Sequence, residues 1–284
     1  MPETPDSSSA IERLCRKGDP QDTWSWREGD PDYVAEFALG REHIPALIEI
    51  ARQWTEPGEC SKDDTQYAPV HAWRALGQLR AVEAVEPLLT MQNRLDELDD
   101  DWYMEEFHCV FGMIGPPAIP AMADYLADQG NAEFCRVSAG NGLCEVGKRF
   151  PETRPQVVEL LTAQLARREP EMYALNGLVV CYLINLNAVE SAEVIERAFA
   201  AGVVDQSICG DWSDIRRELE VPELGLVPPR PKPDRGFGPM RFFDSLSSTN
   251  DSDRDRQRQM DKKAKAKAKR KQEKKSRRQN RKRR

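Results

Sequence analysis

Residues 76–89 read Leu-Gly-Gln-Leu-Arg-Ala-Val-Glu-Ala-Val-Glu-Pro-Leu-Leu, and residues 183–196 repeat this pattern as Leu-Ile-Asn-Leu-Asn-Ala-Val-Glu-Ser-Ala-Glu-Val-Ile-Glu. Two further copies lie between them. Residues 111–122 read Phe-Gly-Met-Ile-Gly-Pro-Pro-Ala-Ile-Pro-Ala-Met, and residues 143–150 read Leu-Cys-Glu-Val-Gly-Lys-Arg-Phe. An earlier copy begins with Leu-Gly-Arg-Glu-His-Ile-Pro at residue 39. A short sequence pattern that recurs several times along a chain indicates a fold built by stacking copies of one unit.

The copies also predict how each unit folds. Taking Leu76, Phe111, Leu143 and Leu183 as equivalent gives steps of 35, 32 and 40 residues. We expect a first helix to end near each Leu-Gly or Val-Gly step, with glycine as the left-handed residue that closes it. A second helix with apolar residues three or four apart follows, and the turn after Val146 is expected to be longer than the others. One helix pair cannot cover its own apolar stripe, so neighbouring pairs must stack.

These motifs resemble a known repeat. Residues 75–79 with 84–88, and residues 111–115 with 118–122, are similar to the HEAT-like repeat first named after phycobilisome lyases. That repeat reads roughly Ala-Leu-Gly-x-Ile-Gly, then Ala-Val-Pro-x-Leu, and the similarity covers about residues 34–220. It implies an all-α fold, an α-solenoid of about five HEAT-like helical pairs with disordered N- and C-terminal segments. It implies little about activity, because the same scaffold serves lyases, hydroxylases and adaptors.

Composition divides the chain into four parts. Residues 1–30 are expected to form a polar N-terminal segment or cap, with a short helix near Cys15, and residues 31–222 to form the HEAT-like α-solenoid. Residues 223–261 are first rich in proline and then polar, which predicts a disordered linker. Residues 262–284 form a basic tail.

The basic tail differs in charge from everything before it. Residues 1–261 carry 26 basic and 47 acidic residues, a net charge of −21, whereas the tail carries 15 basic residues and one acid, Glu273. The predicted polyanion-binding residues are Lys262, Lys263, Lys265, Lys267, Lys269, Arg270, Lys271, Lys274, Lys275, Arg277, Arg278, Arg281, Lys282, Arg283 and Arg284. The tail has no aromatic residue to stack on bases, so we expect salt-sensitive contact with RNA or another polyanion rather than sequence reading. A solvated tail without a target, an arm folded on the acidic body and contact with an anionic surface remain alternatives.

The acidic run Asp-Glu-Leu-Asp-Asp-Asp-Trp at residues 96–102 is the strongest local anomaly outside the tail. Its acids are expected to precede a helix and to complement the helix dipole, as in the later Gly-Asp-Trp step at residues 210–212. Alternatively, the run binds a cation or a basic peptide, with tryptophan as an anchor. The candidates for partner binding are Asp99, Asp100, Asp101, Trp102 and Trp212.

Catalytic motifs are missing from the sequence. The three histidines, His43, His71 and His108, belong to no HExxH pattern, and there is no P-loop, GxGxxG or GxSxG motif. His108 follows Glu105 and Glu106, and such a pair supplies only half of a metal site. The seven cysteines form no CxxC pair, which favours buried thiols. We therefore predict no cofactor, no metal site and no catalytic residues.

The functional prediction is a non-enzymatic scaffold or adaptor. The solenoid surface would bind a protein partner, and the basic tail would tether the molecule to RNA or another polyanion. The alternative is a lyase-like enzyme that uses the concave surface of the solenoid. No apolar run approaches the roughly 20 residues needed to span a bilayer, and no signal peptide is visible, so a cytoplasmic location is expected.

Overall fold

The computed structural model describes residues 7–20, 24–55, 65–98, 100 and 102–222. The predictions for the linker, residues 223–261, and for the basic tail, residues 262–284, lie outside this part of the chain. The described residues are helical and contain no strand, which confirms the all-α class for them. None of their helices is long and apolar enough to cross a membrane.

The helices differ in length from one to nearly five turns. Their bounds are α1 Ser7–Cys15, α2 Tyr33–Phe37, α3 Ile44–Arg52, α4 Ala68–Gln78, α5 Val85–Glu97, α6 Trp102–Ile114, α7 Ile119–Ala127, α8 Glu133–Arg149, α9 Arg154–Ala166, α10 Tyr173–Asn185, α11 Ala192–Ala200, α12 Gln206–Cys209 and α13 Trp212–Glu218.

The long helices pack in two rows. In the first row α4 packs on α6, α6 on α8 and α8 on α10; in the second row α3 contacts α5, α5 contacts α7, α7 contacts α9 and α9 contacts α11. The two rows meet through contacts such as α3 with α4, α7 with α8 and α9 with α10. Each helix therefore contacts its counterpart in the next unit as well as its own neighbours. The apolar residues that face these contacts form the core, and many of them are fully buried.

A short 3-10 turn starts each second-row helix. The five turns are Arg41–His43, Val82–Ala84, Pro116–Ala118, Pro151–Thr153 and Val189–Ser191. Before three of them the chain passes through a left-handed residue: Ala38 with φ 54°, Arg80 with φ 51° and Asn187 with φ 49°. In each case the N–H of the next residue reaches back five residues, to the carbonyl of Val34 at 2.9 Å, of Leu76 at 3.0 Å and of Leu183 at 2.9 Å. This hydrogen bond is the Schellman closure of a helix.

Two helix ends closed by four-residue hydrogen bonds correct the predicted register of the fourth unit. The N–H of Gly115 donates to the Phe111 carbonyl and the N–H of Phe150 to the Val146 carbonyl, both at 2.9 Å. Val146, not Leu143, is thus the counterpart of Phe111, and the steps become 35, 35 and 37 residues. The longer turn predicted after Val146 was also wrong, because α8 continues to Arg149 and its 3-10 turn follows directly.

The glycines of the Leu-Gly and Val-Gly steps do not close helices as predicted. Gly77, Gly112 and Gly147 lie inside α4, α6 and α8. A Cβ atom on Gly112 would lie 2.8 Å from the Cβ of Glu145, and one on Gly77 would lie 3.3 Å from the Cα of Val110. These glycines let neighbouring first-row helices approach closely.

The described part of the N-terminal segment is folded onto the body. The short helix predicted near Cys15 is α1, whereas the disorder expected of this segment does not hold for its described residues. Helix α1 packs on α2 and α4 and buries Leu14, and the 3-10 helix Trp24–Glu28 buries Trp26. The Trp26 ring lies 5.1 Å from the guanidinium carbon of Arg74. His71 hydrogen-bonds the Gly18 carbonyl at 3.0 Å through Nε2. This segment therefore belongs to the core that supports α4.

Two buried ion pairs join parts of the body, one between α4 and α6 and one between α8 and the segment that follows α9. Arg74 on α4 donates to both carboxylate oxygens of Glu106 on α6, at 2.5 and 3.0 Å, and both side chains are fully buried. Arg136 on α8 makes the same kind of two-pronged contact with Glu169, at 2.7 and 2.9 Å. The Arg136 guanidinium holds the pKa of Glu169 at about 2, well below its ordinary value. Paired geometry of this kind fixes orientation as well as charge.

Candidate functional site

Within the acidic run, Asp100 caps the start of α6. Asp100 accepts a hydrogen bond from the backbone N–H of Trp102 at 2.9 Å, at the first residue of α6. Its other carboxylate oxygen accepts from the indole N–H of Trp54, also at 2.9 Å, and Asp96 accepts from the hydroxyl of Tyr103 at 2.8 Å. The predicted capping role is confirmed for Asp100. Asp99 and Asp101 lie outside the described residues.

The two candidate tryptophans occupy different environments. Trp102 is half-buried, and its ring centroid lies 6.4 Å from that of Tyr67, which in turn stacks on Trp54 at 6.5 Å. Trp212 is only 5% exposed and packs against Phe199 at 6.2 Å. Trp102 therefore belongs to a surface cluster, whereas the ring of Trp212 contributes to the core.

The paired histidine and cysteine on α6 are buried. Burial lowers the pKa of His108 to about 4 and raises the pKa of the neighbouring Cys109 thiol to about 12. The imidazole nitrogen and the thiol lie 3.2 Å apart. At neutral pH both groups are uncharged, so Cys109 is not a thiolate nucleophile. Within the described ranges, no group of three His, Cys, Asp or Glu side chains is placed to hold a metal ion.

A groove of about 640 Å³ opens where the first-row helices α4, α6 and α8 end. We call it the basic groove. Its lining residues are Gly29, Asp32, Val34, Gly77, Gln78, Arg80, Gly112, Met113, Arg149 and Phe150.

The first-row helices α4, α6 and α8 and the N-terminal segment build the walls of the basic groove. Gln78 accepts a hydrogen bond from the Tyr33 N–H at 2.7 Å and donates to the Pro31 carbonyl at 3.1 Å, which fixes the segment before α2 beside α4. On the opposite side, Arg149 donates to the Arg27 carbonyl at 3.4 Å. Gly77 and Gly112 also line the groove, at the places where α4 and α6 approach their neighbouring helices closely.

The charges in the basic groove are incompletely matched. The Arg80 side chain is exposed, and its guanidinium carbon lies 5.8 Å from the centre of the Phe150 ring, a cation–π contact. The Glu145 carboxylate forms ion pairs with two cations, the Lys148 ammonium group at 2.7 Å and the Nε atom of Arg149 at 3.8 Å. Asp32 is the one acid among the lining residues, and it accepts the N–H of Ala35 as the cap of α2.

Comparison with known proteins places this geometry in no family. A scan against protein-family models found no match, and searches of curated proteins and of solved structures found no significant similarity. The resemblance to HEAT-like repeats therefore remains an interpretation of the sequence.

Sequence reasoning missed the basic groove. Arg80 and Arg149 were visible only as the ends of repeat motifs, and neither was singled out. The signal that would have found them is their spacing of 69 residues, close to two 35-residue units, at the same end of first-row helices. Two cations in that register lie at one edge of a stacked array. The predicted partner-binding candidates on the body were Trp212 and residues of the acidic run 96–102, and the run lies where α6 begins.

Proposed function

We propose that the chain is a non-enzymatic scaffold that binds a protein partner through its helical body and tethers to RNA or another polyanion through its basic tail. The body would be an α-solenoid of about five HEAT-like pairs. The main support for this proposal is the packing of helices α3 to α11 in two rows, in which each helix contacts its counterpart in the next pair. Stacked helix pairs present long surfaces suited to protein partners. A cytoplasmic location is part of this proposal.

The body and the tail would contribute different properties. The body is strongly acidic, so it disfavours direct wrapping of nucleic acid, whereas the tail concentrates 15 cations in 23 residues. Such a tail would release counterions from a phosphate backbone and bind with a steep dependence on salt. Specific recognition would belong to the surface of the body.

The lyase-like alternative has no comparable support. It requires reactive side chains gathered in a cleft, and the lining of the basic groove offers arginine, glutamine and one capping aspartate. The buried His108 and Cys109 are uncharged at neutral pH and are not among the residues that line the groove.

Deletion of residues 262–284 tests the tether. Retention of the chain on immobilised RNA at low salt is expected to be lost, while the helical circular-dichroism spectrum stays unchanged, because the described helices all lie before residue 223. Deletion of residues 245–261, a segment with three basic and four acidic residues, is the control and is expected to leave retention intact. Undiminished RNA retention after removal of the tail would refute the tether.

A further inference from the structure

The basic groove combines positive charge with apolar surface. Arg80 at the end of α4 and Arg149 at the end of α8 contribute the charge, and Met113 and Phe150 contribute half-buried apolar side chains. The cations come from units two repeats apart, so the groove crosses the array rather than following one helix. A ligand that fits must pair an anionic group with an apolar one.

The local charge balance favours an anionic ligand. Arg80 contacts an aromatic ring and pairs with no carboxylate among the described residues, and Arg149 shares Glu145 with Lys148. Residues 1–261 as a whole carry a net charge of −21. A patch of excess positive charge on such a body is complementary to a carboxylate, and arginine binds carboxylates with two parallel hydrogen bonds.

Complementing the helix dipole does not by itself account for this arrangement. Cations at helix C-termini are stabilising wherever they lie, and they need no cavity between them. Here the helix ends surround about 640 Å³ of free volume. The turn holds the Arg80 backbone in the left-handed conformation, which sets the direction in which the side chain leaves the backbone beside the groove.

We propose that the basic groove binds an extended peptide segment of a partner protein in which a glutamate or aspartate lies next to a large apolar side chain. The carboxylate pairs with Arg80 and Arg149, and the apolar side chain packs on Met113 and Phe150. This proposal rests on the scaffold function, and it names the chemistry of the segment that the body recognises.

Fluorescence anisotropy on the full chain tests this proposal with three labelled peptides. The probe is Gly-Glu-Leu-Phe-Glu-Gly; the controls are Gly-Lys-Leu-Phe-Lys-Gly and Gly-Glu-Ser-Ser-Glu-Gly. The probe is expected to bind at least about tenfold more tightly than either control, because a charge-assisted hydrogen bond and a buried apolar side chain each contribute about 1.5 kcal/mol or more. The basic tail attracts both acidic peptides equally and so cannot produce a preference for Leu-Phe over Ser-Ser. Equal binding of the probe and either control would overturn the proposal.

A matched pair of variants locates the binding. Arg80→Asn removes the groove cation and is compatible with the backbone, because asparagine tolerates left-handed φ and Asn187 already occupies such a turn. Arg168→Asn makes the same change at another exposed left-handed arginine, φ 47°, outside the groove. Arg80→Asn is expected to weaken probe binding about tenfold, and Arg168→Asn by less than about twofold. Equal effects would overturn the groove as the site.

The methyl group of Met113 provides a second readout. In chain labelled at the methionine methyl groups, the probe is expected to shift the Met113 signal, assigned through Met113→Leu, and to leave the buried Met122 signal in place. A Met113 signal that does not move at saturating probe overturns the proposal. Neither result affects the tether, which is judged by deletion of the tail.

Discussion

The two edges of the first row of helices carry opposite charges and use them differently. At the edge where α6 begins, Asp100 accepts two N–H groups and Trp102 lies against Tyr67. At the edge where α4 and α8 end, Arg80 lies over Phe150 and Arg149 shares its carboxylate with Lys148. Acids at helix starts and cations at helix ends both follow the helix dipole. The second edge combines that charge with a groove of about 640 Å³, and this free volume distinguishes it from a simple capping arrangement.

The largest effect is expected from the buried pair that lies between the two edges. Arg74→Met leaves the Glu106 carboxylate buried without its main partner, and the free energy of unfolding is expected to fall by about 3–5 kcal/mol. Urea unfolding followed by circular dichroism measures this loss. Arg94→Met is the control, because Arg94 and Glu97 are 44% and 66% exposed and such pairs contribute at most about 1 kcal/mol. An equal loss of unfolding free energy in the two variants would mean that the buried pair stabilises the packing of α4 on α6 no more than an exposed pair does.

A smaller loss of stability is expected at low pH from the second buried pair, Arg136 and Glu169. The pKa of Glu169 is lowered from 4.5 to about 2 by Arg136, so the unfolded state binds a proton first as pH falls. Stability from this group is therefore complete above about pH 4.5 and is lost as the pH falls towards 2. Glu169→Gln is expected to be less stable at neutral pH and to show a flatter decline below pH 4.5 in urea titrations. A variant with an unchanged decline would show that this pair does not titrate as described.

The smallest effect is expected at the acidic edge itself. Asp100→Ala removes the acceptor for the Trp102 N–H and the Trp54 indole, which is expected to cost about 1 kcal/mol of stability. Asp100→Asn keeps one of the two oxygen acceptors and is expected to recover part of that loss. Urea unfolding of the two variants compares them directly. If Asp100→Asn were as damaging as Asp100→Ala, negative charge rather than hydrogen bonding would be the role of this edge.

The site was harder to predict than the fold because it depends on contacts between units. The sequence pattern located the helices and the cap at Asp100, since both arise from residues only a few positions apart. It misassigned Gly77 and Gly112 to helix ends, because a helix-closing glycine and a close-packing glycine look alike in a Leu-Gly step. What distinguishes them is the neighbouring helix, and only the structure places Val110 and Glu145 against them.

The N-terminal segment shows the same limit. Its polar composition predicted a cap or a disordered segment, yet Leu14 and Trp26 are fully buried against the body. Their partners lie far along the chain, and the Arg74 guanidinium that stacks on Trp26 also donates to Glu106 on the next helix. Isolated apolar residues in a polar segment give no periodic signal, so their burial depends on the tertiary structure.

The sequence by itself determined the helical class, the repeat of about 35 residues and the division of charge between an acidic body and a basic tail. These properties depend on local periodicity and composition, and they persist whatever packs against each helix. The tertiary structure decided the register of the fourth unit, the close approach at Gly112 and the meeting of Arg80 with Arg149 across two units. Those features depend on how neighbouring helices stack, because stacking brings residues far apart in the chain to the same edge.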